Sequence, residues 1–282
     1  MEQRSTPSRK VLRRFFRHRG GVLGALLMFS LIVIAVFAPQ VAPFDPLAVS
    51  PFDALLPPST EHWMGTDTLG RDMLSRVIFG SRISLRLGLV SVSIALTIGV
   101  IVGSLAGYIG GRVDDVLMRI IDVLLAFPSL ILALLAVFAL GPGLTNAMIA
   151  VGISAIPSYA RVTRGEVLSA KENLYVQAAE AVGAPALVIM FRHILPNIIA
   201  PNIVIAALGT GTAILAGSAL SFLGLGAQAP TPEWGLMLAQ GRGFMQLAWW
   251  LSFFPGFAIM LTVMSLNLLG DGLRDVLDPR LN

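Results

Sequence analysis

Six stretches of this chain contain no Asp, Glu, Lys, Arg or His: Val22–Ala38, Leu87–Tyr108, Val123–Leu140, Leu144–Tyr159, Ile198–Gly217 and Trp249–Gly270. Crossing the hydrocarbon of a bilayer takes about 20 helical residues. Four of the blocks reach that length easily, and Leu144–Tyr159 needs its flanks to do so. Peptide groups facing lipid must be paired inside their own segment, so each block is predicted to be a helix. Strands of a membrane barrel would alternate polar and apolar residues, and these blocks do not. The expected fold is an all-α integral membrane protein with six transmembrane helices.

Composition agrees. Charged residues make up 13% of the 282, against roughly 25% in globular domains, and hydrophobic residues make up 55%. The absence of cysteine excludes disulfides, thiolate metal sites and cysteine nucleophiles. The net charge of +4 arises mainly in the first nineteen residues, which reads as an anchor beside lipid rather than a nucleic-acid surface. Basic residues before an apolar run also describe a signal peptide. Here the charge-free run continues from Gly20 to Phe44 and meets Pro39 directly after Ala38, so a retained span is expected.

Placing the N-terminus in the cytoplasm puts five of the 20 Lys and Arg residues outside: Arg71, Arg76, Arg82, Arg86 and Arg242. The remaining fifteen lie inside, as the positive-inside rule requires. Both termini are then cytoplasmic, and Trp249 and Trp250 fall at the outer interface. The expected organisation is a basic tail (1–21), a first transmembrane helix (22–38), an external Pro-rich loop with an interfacial helix (39–83), a five-helix core (84–271) and a cytoplasmic tail (272–282).

Three connections carry further information. The external loop begins with six prolines between Pro39 and Pro58, which preclude regular helix. Its end, about Leu69–Phe79, has the apolar stripe of a helix lying on the membrane surface. Phe222–Ala248, rich in Gly and Pro, predicts a shaped loop rather than a helix. In the cytoplasmic segment 161–196, Asn173 can cap a helix running to Val182, which Gly183 would end in a left-handed turn. Pro185 suits the start of a second helix, and Pro196 the start of the next span. Ala178, Ala179 and Ala181 give the first of these helices a surface that another protein can approach closely.

The chemistry of an energy source is missing. A P-loop needs Gly-Lys, but Lys10 follows Arg9 and Lys171 follows Ala170. His18, His62 and His193 lie outside the blocks, so neither a serine–histidine hydrolase nor a zinc protease is supported. Proton-coupled carriers usually hold an ionisable group within the membrane, and the interiors of all six blocks have none. Neither a cofactor nor a metal is expected. Gly99, Gly103 and Gly107 share one helical face and allow a second helix to approach closely. Pro128, Pro157 and Pro255 can kink three other spans.

Gln177-Ala178-Ala179, Gly183 and Leu195-Pro196 resemble the EAA loop of bacterial ABC importer permeases. The spacing is intact, with Gln177 in place of the usual glutamate and His193 in place of isoleucine. His62-Trp63-Met64-Gly65-Thr66-Asp67 with Gly70-Arg71-Asp72 is similar to the segment before the second span in permeases of the dipeptide and oligopeptide C-subunit type. Leu220–Gly226 with Pro232-Glu233-Trp234-Gly235 looks like their outer loop, and Asn267–Asp275 through Asp278-Pro279-Arg280 like their C-terminus. These collinear matches cover nearly the whole chain from Arg13 on.

The resemblance implies a non-catalytic permease subunit in the bacterial inner membrane. Its partners would be a homologous permease subunit, two ATP-binding cassette ATPases, an external solute-binding protein and membrane lipid, with no nucleic acid. Asn173–Val182 would be the coupling helix, with Asn173, Gln177, Ala178, Ala179, Gly183, Leu195 and Pro196 coupling it to the ATPases. Asp67, Gly70, Arg71, Asp72, Glu233 and Trp234 would meet the binding protein or gate the entrance. The cargo would be di- or oligopeptides, with nickel chelates, glutathione or another small solute as rivals in the same machine. An ATP-independent secondary carrier and a membrane enzyme are the alternatives of other classes.

Overall fold

The computed structural model describes residues 14–277. The basic residues up to Arg13 and the segment Asp278-Pro279-Arg280 lie outside the described residues. Among the described residues helices carry the fold, and the one strand-like pairing is an isolated bridge between Thr66 and Asp72. The main helices are α1 (Arg19–Val36), α2 (Met73–Ile109), α3 (Gly111–Leu125), α4 (Ser129–Leu140), α5 (Leu144–Lys171), α6 (Leu174–Ala181), α7 (Leu195–Phe222), α8 (Trp234–Gly241) and α9 (Trp250–Leu277). Four helical stretches are long and apolar enough to cross a membrane: α1, α2, Ala186–Phe222 and Trp250–Val276. The pair α3–α4 passes the same test only as a span bent by 95°.

Side-chain contacts fix how the helices run. α2 and α5 run side by side in the same direction. Midway along α2 and near the start of α5 the Ser91 hydroxyl donates to the Met148 carbonyl at 2.8 Å, and at the ends of both helices Lys171 Nζ donates to the Tyr108 carbonyl at 2.9 Å. α7 lies antiparallel to α9, with Gly211 beside Val263 and Gly270 beside Leu208. α1 lies antiparallel to α9, from Gly24 beside Leu269 to a 3.1 Å contact between His18 Nε2 and the Asp275 carboxylate. The bundle therefore has two ends. One carries α6, and the other carries the 37–72 connection and α8.

The centre is packed with small side chains. Ala95, Ala133, Ala147, Ala150 and Ala213 are fully or almost fully buried between α2, α4, α5 and α7. Lipid tails are as apolar as leucine, so helices in a bilayer gain by close packing rather than by leaving water, and small residues permit it.

Several elements depart from the sequence pattern. No separate surface helix covers Leu69–Phe79, because α2 begins at Met73 and continues unbroken to Ile109. At about 1.5 Å per residue it is about 55 Å long. Asp72 caps it by accepting from Ser75 N at 2.7 Å, and Arg76, expected in water, is fully buried beneath the loop. The block Val123–Leu140 is not one straight helix. Pro128 lacks an N–H and disfavours helical backbone at Phe127, so the chain turns there. α5 runs twelve residues past Tyr159, to Lys171. The Gly- and Pro-rich connection contains α8, whose first turn is capped by the Glu233 carboxylate. Pro196 does not open a new helix. The backbone is already helical from Ala186 and passes through a π-helical stretch, Ile189–Ile194, in which Leu195 N donates to the Met190 carbonyl. The wider turn absorbs the amide that proline lacks. Trp250 is buried, and its Nε1 donates to the Thr66 carbonyl at 3.0 Å, while Trp249 is exposed.

Candidate functional site

At one end, α6 stands between α5 and α7. Asn173 does not cap α6 through its side chain, as the pattern suggests. Its amide donates back to the carbonyls of Ser169 at 3.3 Å and Ala170 at 3.1 Å, closing α5. Gln177 Nε2 donates to the Glu172 carbonyl at 3.1 Å. Val176 is fully buried in a cluster with Val167, Ala170, Ile189, Ile194 and Ile198, which ties α6 to both neighbouring helices. Ala179 packs on the same cluster, and Ala178 is exposed. The far face carries apolar groups into the open: Leu174 is 82% exposed, Val182 84% and Leu187 71%.

The C-terminus of α6 is closed by two reverse hydrogen bonds. Ala184 N donates to the Ala179 carbonyl at 3.0 Å, and Gly183 N to the Glu180 carbonyl at 2.9 Å. This is the Schellman pattern, which needs a left-handed residue at its centre. Gly183 supplies it at φ +76°, with no other group within 4 Å of where a Cβ would stand. Leu195 packs against the Val176 cluster, and Pro196 follows it in the first turn of α7.

The face of α2 that holds Gly99, Gly103 and Gly107 lies against α5. A Cβ at Gly99 would collide with the Tyr159 side chain, and one at Gly103 with the Ala160 carbonyl. One at Gly107 would stand 3.0 Å from the Arg164 carbonyl. Two ion pairs join α5 to α3 beside this contact. Arg164 grips Asp114 with two bonds, at 2.5 and 2.6 Å, and Arg161 pairs with Asp122. Sequence spacing gives no sign of either pair, since the partners lie 50 and 39 positions apart.

At the other end Asp67, Gly70, Arg71 and Asp72 form one buried knot. Asp67 accepts from Leu69 N at 2.8 Å, Arg71 N at 3.0 Å and Arg71 Nε at 2.6 Å. Asp72 accepts from Ser75 and lies 2.9 Å from His62 Nδ1. Gly70, at φ +71°, leaves no room for a side chain beside the Ser50 carbonyl. Arg76 reaches into the knot, 3.5 Å from Asp67, and donates through Nη1 to the Pro46 carbonyl at 3.2 Å.

Glu233 and Trp234 dock α8 onto the bundle. Glu233 accepts from Gly235 N at 2.9 Å and Leu236 N at 2.8 Å, and Trp234 Nε1 donates to the Val77 carbonyl at 3.0 Å. Burial pushes the Glu233 carboxyl above its ordinary range, against the pull of the Gly235 and Leu236 amides. All these side chains are buried, so they shape this end of the molecule and do not themselves offer a contact surface. Among the exposed apolar groups at this end are Phe52, 99% exposed, and Trp63, 72% exposed. Trp63 adjoins His62 in the resembling segment, and that was the available signal. Phe52 had none. Among the described residues no group of three or more His, Asp or Glu is placed to hold a metal ion.

Apolar helices long enough for a bilayer, packed through glycine and alanine, with polar structure gathered at the two ends, define a multi-pass integral membrane protein. Residues 99–282 match the family described as the binding-protein-dependent transport system inner membrane component, and residues 6–58 match the N-terminal TM domain of oligopeptide transport permease C. The chain belongs to this family and is a permease subunit of such a transport system. It is 46% identical over 276 residues to the dipeptide transport system permease protein DppC of Alkalihalophilus pseudofirmus, covering 98% of this chain and 91% of that one. It is 49% identical over 273 residues to the di/tripeptide transport system permease protein DppC of Pseudomonas aeruginosa (94% and 90% covered). It is 46% identical over 277 residues to the glutathione transport system permease protein GsiD of Pectobacterium atrosepticum (98% and 92% covered).

Proposed function

We propose that the chain crosses the bacterial inner membrane six times, with both termini and α6 on the cytoplasmic side, and lines one half of a path for short peptides. α3–α4 is the bent third crossing, and α5 the fourth. α6 is the coupling helix received by one of two ATPase subunits, and a homologous permease completes the path. The observation that carries this reading is the pairing of opposite features in α6. It is held rigidly to α5 and α7 through Val176, yet it presents Leu174 and Val182 almost bare. An apolar surface on a rigid arm suits a partner that pushes. The relatives named for dipeptides, di/tripeptides and glutathione share a cargo chemistry, the short peptide with free ionised ends, and we assign that class here. A binding protein would meet Phe52 and Trp63 at the opposite end.

The test is reconstitution with the partner permease, ATPases and binding protein in vesicles. Peptide uptake should require ATP, and Leu174→Asp with Val182→Asp should uncouple ATP hydrolysis from uptake. Uphill uptake by this chain alone would overturn the reading.

A further inference from the structure

A groove of about 900 Å³ opens at the end of the bundle opposite α6. Four separate segments build it: the connection after α1 through Pro43 and Asp45, the first third of α2 through Phe79, Arg82 and Arg86, the start of α5 through Leu144, and the connection before α8 through Pro232. Its volume lies within the roughly 300–1,000 Å³ of small-molecule sites. Arg82 and Arg86 stand one helical turn apart, so both guanidinium groups can reach one oxyanion. Both side chains are exposed, and neither forms a hydrogen bond or ion pair with the described residues. Below Arg86, α2 has no charged residue as far as Ile109, so these are the last cations before its apolar length. Asp45 lines the same groove without pairing to either arginine, and its carboxylate accepts from Leu47 N at 2.8 Å.

Separated charges of opposite sign in one groove, each left without a protein counter-ion, fit a ligand carrying both. We propose that this groove is a subsite for a zwitterionic peptide, holding its C-terminal carboxylate at Arg82 and Arg86 and its ammonium at Asp45. A dipeptide spans about 7 Å when extended, which such a groove accommodates. The proposal rests on the peptide reading above and gives the permease itself a share in recognition.

The chain has no cysteine, so Leu144→Cys places a single thiol in the groove. In the assembled transporter in phosphatidylcholine nanodiscs, a free dipeptide should slow maleimide labelling of that thiol at least fivefold. The same dipeptide with an amidated C-terminus should not, and Arg82→Gln with Arg86→Gln should abolish the protection. In uptake assays the double substitution should lower transport of the free dipeptide about tenfold. Protection that is equal for both peptides, or unchanged by the double substitution, overturns the proposal. So does protection that depends on phosphatidylethanolamine rather than peptide, which would make the groove a lipid headgroup site. Weakened docking of the peptide-free binding protein in the double variant would overturn it in favour of a protein contact. A wild-type assembly that takes up no peptide at all would instead remove the peptide reading itself.

Discussion

The indole of Trp250, in the first turn of α9, donates to the carbonyl of Thr66 across 184 positions of sequence. Gly65, beside Thr66, has the same indole 2.8 Å from where its Cβ would be. The loop that shapes one end of the bundle is thus fastened to the last helix by a single buried donor. Trp250→Phe keeps the apolar packing and leaves the Thr66 carbonyl without its partner. The expected cost is about 1–3 kcal/mol, visible as a lower thermal midpoint in detergent, with the helical circular dichroism unchanged before the transition.

The contact between α2 and α5 is limited by main-chain distances. Gly103→Leu would drive a side chain into the Ala160 carbonyl and should prevent accumulation of folded protein. Gly165→Ala is the matched control, because nothing lies within 4 Å of its Cβ position. Expression monitored by fluorescence size-exclusion should separate the two clearly.

At Gly183 the obstacle is conformational, not steric. A β-branched residue at φ +76° costs about 1–2 kcal/mol, and the two reverse hydrogen bonds ending α6 depend on that conformation. Gly183→Val should abolish uptake while leaving membrane insertion intact and lowering the thermal midpoint by only a few degrees. Asn tolerates left-handed backbone, so Gly183→Asn should retain most activity. Equal uptake by Gly183→Val and the parent would show that the turn transmits nothing.

Glu233 makes the loop end sensitive to pH. Burial raises its folded carboxyl pKa above the unfolded value, so the folded state binds the proton more tightly. Its contribution is fully present below the ordinary carboxylate value and is lost as pH rises through the raised folded value. Thermal midpoints of the parent should fall across that window relative to Glu233→Gln. The difference between the two should be constant at higher pH.

Much of the bundle is legible because lipid imposes a simple demand. Uninterrupted apolar runs become helices, and the apolar cores of α1, α2, α7 and α9 follow from their runs, although α2 starts at Met73, well before its run. The glycine face of α2 and the turn at Gly183 are legible for the same kind of reason, since each reflects a local constraint on one backbone position. Contacts between distant residues leave no such trace. Arg76 reads as a solvated charge because the Pro46 carbonyl and Asp67 that bury it belong to a loop whose path no local pattern specifies. Asn173 reads as a cap for the helix after it, and the preceding α5 takes its amide instead. The bend at Pro128 could be suspected but not sized, since apolar residues flank it on both sides.

That bend constrains the surroundings of the molecule. At the corner the carbonyls of Asp122, Val123 and Leu124 accept from Ala126 N and Phe127 N, and Ile131 N and Leu132 N donate to the Pro128 carbonyl, which leaves the Ser129 and Leu130 amides without a backbone partner. Neighbouring Phe127, Leu130 and Ile131 are exposed, so the corner sits on an apolar flank. Acyl chains cannot hydrogen-bond the freed peptide groups. Set at hydrocarbon depth, this corner would need water or a companion polypeptide against it.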